Sequence, residues 1–240
     1  MLVGELSVGA TYSEGSKGRL MSNAVSTKPS VTKTGSVRPF VITAALGALV
    51  FVVLAIVLRM NGGVNSFDTS VAMWFTDSRS GALESLGKLI ASLTTPFILV
   101  AVTVIAAVVL WARSRRHDAV ILAGSVFIAY LFGAIAKRLE GRARPLAPIN
   151  LSPESEPSFP SGHVLVVTTI AFVALGLAWA ELDRMARTVW TTVAVVAVTM
   201  VSLDRLVVGA HWFTDVLGAL ALACVIGSCA IIANRKFAVD

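Results

Sequence analysis

Apolar residues in this chain come in long blocks rather than in alternating positions or narrow stripes. Six blocks stand out, at about Pro39–Leu58, Lys88–Trp111, Ala119–Ala136, His163–Ala180, Thr188–Leu206 and His211–Ala233. About 20 consecutive apolar residues suffice for a helix to cross a bilayer, so each block predicts one transmembrane helix, and Pro96 predicts a kink in the second. Residues 60–87 are mixed. They open on the turn signal Asn61-Gly62-Gly63 and then place Phe67, Val71, Trp74 and Phe75 at helical spacing. This predicts a short helix lying on the membrane surface with Trp74 at the interface. The expected fold class is therefore all-α: a polytopic membrane protein of six transmembrane helices with a short extracytoplasmic interfacial helix, occupying residues 39–233. Residues 1–38, polar and without period, are expected to be a disordered cytoplasmic tail, with Met21 as an alternative start, and residues 234–240 a second cytoplasmic tail.

Composition supports the membrane reading. Hydrophobic residues make up 56% of the 240 positions and charged ones only 14%, where a soluble domain carries about 25% charged residues. That excludes both a large soluble domain and a disordered chain. The net charge of +6 raises nucleic acid as a partner, but the distribution of the cations points to topology instead. Basic residues cluster before the first block (Lys17, Arg19, Lys28, Lys33, Arg38), between the second and third (Arg113, Arg115, Arg116), between the fourth and fifth (Arg184, Arg187) and after the sixth (Arg235, Lys236). Such residues collect in cytoplasmic loops. Both termini are thus expected inside a multi-pass plasma-membrane protein, with the bilayer and no nucleic acid as partner. On the opposite side Lys137, Arg138, Arg142 and Arg144 break the rule. Cys224 and Cys229, five apart, point to different helix faces and predict neither a disulfide nor a metal site. The oligomeric state is not legible.

Three polar segments fall at the extracytoplasmic ends of the blocks: Lys137 to Arg144-Pro145, Pro160-Ser161-Gly162-His163, and Arg205 to His211 and Asp215. Together they suit a phosphate group. Lys137, Arg144 and Arg205 supply fixed positive charge, with arginine forks matching phosphate oxygens. Ser161 offers a hydroxyl, and Gly162 lets backbone approach at a helix N-terminus, where anions are favoured. His211 and Asp215 are four apart and so share a helix face. The carboxylate can hold one ring nitrogen and leave the other to attack. His163 remains as a general acid. No cofactor and no metal are needed for this chemistry. For Arg138 and Arg142 contact with lipid headgroups is the simpler role, and His117 reads as a solvated loop residue.

The pattern Lys137-x6-Arg144-Pro145, then Pro160-Ser161-Gly162-His163, then Arg205-x5-His211-x3-Asp215 resembles the type 2 phosphatidic acid phosphatase family, related to vanadium haloperoxidases. The resemblance implies six transmembrane helices, an extracytoplasmic active site and a metal-independent phosphohydrolase that forms a phosphohistidine on His211. One position departs from the family pattern: Asp204 stands where serine usually precedes the arginine, and altered phosphate affinity or pH dependence is expected from it. The expected function is hydrolysis of a phosphomonoester or terminal diphosphate of a membrane lipid, such as phosphatidic acid, phosphatidylglycerol phosphate or a polyprenyl diphosphate. Two alternatives stay open: a phosphotransferase with a lipid or sugar acceptor, and a lipid carrier without hydrolysis.

Overall fold

The computed structural model describes residues 36–237 other than Pro153. The tail expected over residues 1–38 lies, as far as residue 35, outside the described residues, as do positions 238–240. The helices of the described residues are α1 (Arg38–Met60), α2 (Ser66–Asp77), α3 (Gly81–Leu93), α4 (Pro96–Ala112), α5 (Arg116–Glu140), α6 (Gly162–Ala178), α7 (Arg184–Val207) and α8 (Phe213–Phe237), and the described residues contain no strand. Local chemistry explains several of the boundaries. Asn65, Ser80, Thr95 and Asp183 each accept a backbone N–H of the helix they precede, satisfying a donor that has no partner within the helix. Gly141, with φ at +58°, ends α5, a conformation that costs a residue without Cβ little.

Pro96 does not kink a helix, as expected above, but starts one. It sits in the first turn of α4 behind the Thr95 cap, where its missing N–H leaves no hydrogen bond unmade. The second expected block is therefore two helices, α3 and α4, bent by 49°. The first of them begins at Gly81, seven residues before the block, in the stretch read as mixed.

Four described helices (α1, α5, α7 and α8) are long and apolar enough to cross a membrane. The bent α3–α4 pair passes the same test jointly, and α6 is apolar but shorter, at 17 residues. Within the bundle α8 is central: 61% of its apolar stretch is buried inside the protein, against 11% for α1 and 6% for α7. It packs against α1 and α6, α5 lies against both α6 and α8, and α3 lies along α7. The α1–α8 seam is backbone-close, because a Cβ on Gly47 would stand 2.7 Å from the Ala221 carbonyl oxygen. Val126, Ala129, Val164, Leu165, Val216, Ala219, Leu222 and Ala223 fill the core. Many large apolar side chains face outward, among them Leu46, Leu49, Phe97, Ile105, Phe127 and Val195. Soluble monomers rarely leave apolar surface of that extent exposed. The C-terminal ends of α5 and α7 and the N-terminal ends of α6 and α8 meet at one end of this bundle, and the polar segments are gathered there.

Candidate active site

The turn between α7 and α8 sets the centre of the site. Arg205 lies in the last turn of α7, and its carbonyl accepts the N–H groups of Ala210 and His211. Gly209 makes that tight reversal at φ +66°, and a Cβ there would fall 2.0 Å from the Ile149 carbonyl oxygen. Only glycine fits. The helix starts at Phe213, so His211 precedes it, and the expectation that His211 and Asp215 share a helix face is corrected. Their contact arises from capping. The Asp215 Oδ2 atom accepts the Trp212 N–H at 2.9 Å, as an acidic residue in the first turn does when it reaches back to the cap. The same oxygen lies 3.3 Å from His211 Nδ1. Both side chains are buried, His211 at 1% exposure and Asp215 at 0%.

The cations converge around the other face of the imidazole. Arg144 donates from Nη1 to the Ala210 carbonyl at 2.7 Å and lies 3.2 Å from His211 Nε2. A guanidinium has no lone pair to offer, so Nε2 is the acceptor and the ring proton sits on Nδ1, facing Asp215. Arg205 is held by Asp204, whose Oδ2 accepts from Nε and Nη2 at 2.7 and 2.5 Å. This leaves Nη1 to reach Glu154 Oε1 at 3.2 Å. Lys137 stands in the last turn of α5, rather than beyond the helix, and binds Glu156 at 3.1 Å. Ser161 occupies the N-cap position of α6 and donates its N–H to the Asp215 carbonyl, while its fully buried hydroxyl has no hydrogen-bond partner among the described residues. Gly162 and His163 follow as the first two residues of α6, with open space above Gly162.

Lys137, Arg144, Glu154, Gly162 and His163 line one end of a cavity of about 570 Å³. Leu99, Ala129, Ala134, Leu165 and Val166 line the rest of it, between α4, α5 and α6. Arg205 and His211 adjoin the polar end through Glu154 and Arg144. The structure thus brings the eight residues singled out by sequence together at one end of the bundle.

Burial pushes the His211 imidazole below the ordinary histidine value, against the hydrogen bond and charge of Asp215, which act to raise it. The ring is held neutral near pH 7. Burial also pulls the Arg144 guanidinium down, with Glu154 and Asp215 opposing. For Glu154 burial acts to raise the carboxyl, but Arg144, His211, His163 and Arg205 together hold it below the usual value.

Two residues of the site were misjudged or missed from sequence. Arg142 does not meet lipid headgroups: it is 3% exposed. Its Nη1 donates to Thr214 Oγ1 at 2.8 Å and to Asp215 Oδ1, and its Nη2 donates to Asp68 Oδ2 at 2.6 Å. Arg138 is exposed. Asp68, on α2, is fully buried and also accepts the Thr214 N–H and hydroxyl. Its local signal was the capping arrangement with Asn65, three residues earlier. Nothing local pointed to a cation 74 positions away.

The PAP2 superfamily matches residues 118–237, half of the chain and every one of the three motif segments. The chain belongs to the PAP2 superfamily. The chain is 25% identical over 182 residues to an undecaprenyl-diphosphatase of Sulfolobus acidocaldarius, covering 72% of this chain and 82% of that one. It is 29% identical over 117 residues to a decaprenylphosphoryl-5-phosphoribose phosphatase of Mycobacterium tuberculosis, covering 48% of this chain and 60% of that one. Its fold matches the crystal structure of a transmembrane PAP2-type phosphatidylglycerolphosphate phosphatase from Bacillus subtilis at TM-score 0.70 and 23% identity, over 81% of this chain and 96% of that one. It also matches the structure of Aquifex aeolicus LpxE at TM-score 0.58 and 16% identity, over 70% and 96%. These two likenesses establish the fold. This PAP2 protein is accordingly an enzyme of the phosphoric ester hydrolase kind, built on several apolar helices as a multi-pass membrane protein.

Proposed function

We propose that this PAP2 protein is a metal-independent lipid phosphatase that works through a phosphohistidine on His211. The observation that carries the proposal is the orientation of that ring: Nδ1 on Asp215, Nε2 on the cationic side beside Arg144. The substrate is a phosphomonoester or the terminal phosphate of a diphosphate on a membrane lipid, in the class of phosphatidic acid, phosphatidylglycerol phosphate or a polyprenyl diphosphate. Its headgroup enters among Lys137, Arg144, Ser161, Gly162 and Arg205, and its tail lies along the apolar part of the cavity. The relatives that act on prenyl-linked phosphates support that class.

In the first step Arg144 turns from Nε2 to the phosphate oxygens, and the lone pair so freed forms a bond to phosphorus. The bond from phosphorus to the leaving oxygen breaks, and His163, protonated once the substrate's negative charge stands beside it, gives that oxygen its proton. In the second step His163 takes a proton from water, whose oxygen attacks the phosphohistidine and releases orthophosphate and neutral His211. Asp215 orients the ring and steadies the positive charge it gains. The arginines and Lys137 stabilise the charge spread over the equatorial oxygens.

Six spans follow if α4 and α6, each of 17 residues, are counted, since this is the lower end of the length a tilted bilayer crossing needs. α2 and α3 then lie at the interface, and residues 39–233 form the membrane domain. Arg113, Arg115, Arg116, Arg184, Arg187, Arg235 and Lys236 collect at the end of the bundle away from the site, a distribution that supports cytoplasmic termini and an extracytoplasmic site.

Purified protein is expected to release phosphate from such lipids with EDTA present, and His211→Ala to abolish release. Full activity in that variant would overturn the mechanism.

A further inference from the structure

Glu154 stands where the substrate's phosphate would have to sit. One carboxylate oxygen lies 2.7 Å from Arg144 Nη2 and 3.9 Å from His211 Nε2. The other lies 3.2 Å from Arg205 Nη1 and 4.0 Å from His163 Nδ1. A phosphorus atom in line for attack would need to come within about 3–3.5 Å of Nε2, and this carboxylate fills the space. Two residues on, Glu156 pairs with Lys137 at 3.1 Å. The three cations of the phosphate cradle are therefore all engaged by two carboxylates of one short segment.

The segment is tethered on both sides. Before it, the Leu151 N–H donates to the Val208 carbonyl; after it, the Ser158 N–H donates to the Arg142 carbonyl. Glu154 itself retains 30% side-chain exposure, so water already reaches it and its side chain can turn out of the cradle while both anchors hold. Tethering also gives its carboxylate a high effective concentration at the cradle.

We propose that Glu154 is a specificity-determining residue, a resident carboxylate that admits headgroups carrying two or more negative charges and turns away singly charged phosphodiesters. This rests on the lipid-phosphatase reading of the same site. A phosphodiester lipid brings one negative charge, no more than the carboxylate it must displace, and it competes against a tethered group. A phosphomonoester dianion or a diphosphate brings at least twice the charge to Arg144, Arg205 and Lys137 and wins the exchange. The diester lipids that surround the protein are thereby kept from occupying the site. When orthophosphate forms, return of Glu154 helps to expel it.

The experiment compares wild type with Glu154→Gln and Glu154→Asp in detergent. Orthophosphate binding is measured by calorimetry, which needs no turnover. Inhibition by dioctanoylphosphatidylglycerol, a diester monoanion, is measured against hydrolysis of dioctanoylphosphatidic acid. Glu154→Gln is expected to bind orthophosphate about fivefold more tightly, the scale of one partly exposed ion pair removed from the competition, and to become sensitive to the diester. Glu154→Asp, one methylene short of spanning both arginines, is expected to fall between. Unchanged or weaker orthophosphate binding in Glu154→Gln would overturn the proposal, as would equal resistance to the diester. Failure of the phosphatase reading would appear separately, as no phosphate release by wild type, with the calorimetric comparison still decisive for Glu154.

Discussion

Arg142 donates to the Oδ1 atom of Asp215, the carboxylate oxygen turned away from His211. The same guanidinium binds Asp68, so one buried cation sits between two buried carboxylates and ties α2 to the start of α8. Asp215 is thereby oriented from behind, and the imidazole from Asp215. Removing one partner from a buried pair leaves an uncompensated charge, at a cost of about 3–5 kcal/mol. Arg142→Ala is expected to lose about that much stability in a chemical unfolding experiment, together with most of the activity. Asp68→Asn, which keeps shape and hydrogen bonding, is expected to cost less. A wild-type unfolding midpoint in Arg142→Ala would contradict this account.

The position of His211 predicts the acid side of the pH profile. Because burial lowers the proton affinity of the ring, the free enzyme is expected to keep kcat/KM constant down to below pH 6.5, the ordinary histidine value, before activity declines. Stability carries the same sign. Between the depressed value and about 6.5 the unfolded chain binds a proton that the folded chain does not, so the His211 contribution to stability falls as pH is lowered through that window. His211→Gln is expected to remove this part of the slope, which unfolding at pH 5 and pH 8 would measure.

Asp204 departs from the family pattern, and its contacts say what the departure does. It neutralises Arg205 next to the cradle and fixes two of the three guanidinium nitrogens. Asp204→Ser restores the positive charge. It is expected to bind orthophosphate more tightly and to retain turnover within about tenfold. It is also expected to lose about 3 kcal/mol of stability, since Arg205 is 1% exposed and loses its buried partner. Product inhibition and the unfolding midpoint report the two effects separately.

The apolar part of the cavity provides a test of the proposed position of a lipid tail. Ala134 lines it, three residues before Lys137 on α5. Ala134→Phe is expected to raise KM for a long-chain lipid phosphate several-fold and to leave hydrolysis of a short, water-soluble phosphomonoester nearly unchanged. Equal effects on both substrates would place the tail elsewhere.

Much of this arrangement was legible in the order of residues, for identifiable reasons. The blocks that became α1, α5, α6, α7 and α8 are long and apolar, so their existence depends on little else. The three motifs stand next to helix ends, so folding the helices brings the motifs to one end of the bundle. The α3–α4 break was missed because a proline within an apolar run looks the same whether it bends a helix or opens one, and here the Thr95 cap decided the matter. Arg142 was misplaced because its partners, Asp68 and Asp215, lie 74 and 73 positions away. The occupation of the cradle by Glu154 was equally hidden: the segment around it has no period, and its partner Arg205 stands 51 positions on.

The fit of Gly209 beneath the Ile149 carbonyl has a consequence for biosynthesis. The connection between α5 and α6 closes against a turn that is translated some sixty residues later, and Arg142 stays without its α8 carboxylate until the same moment. A nascent chain that has threaded only its earlier helices lacks both the closure of Ile149 on Gly209 and the pairing of Arg142 with Asp215, so the candidate site is assembled only when the last hairpin is seated.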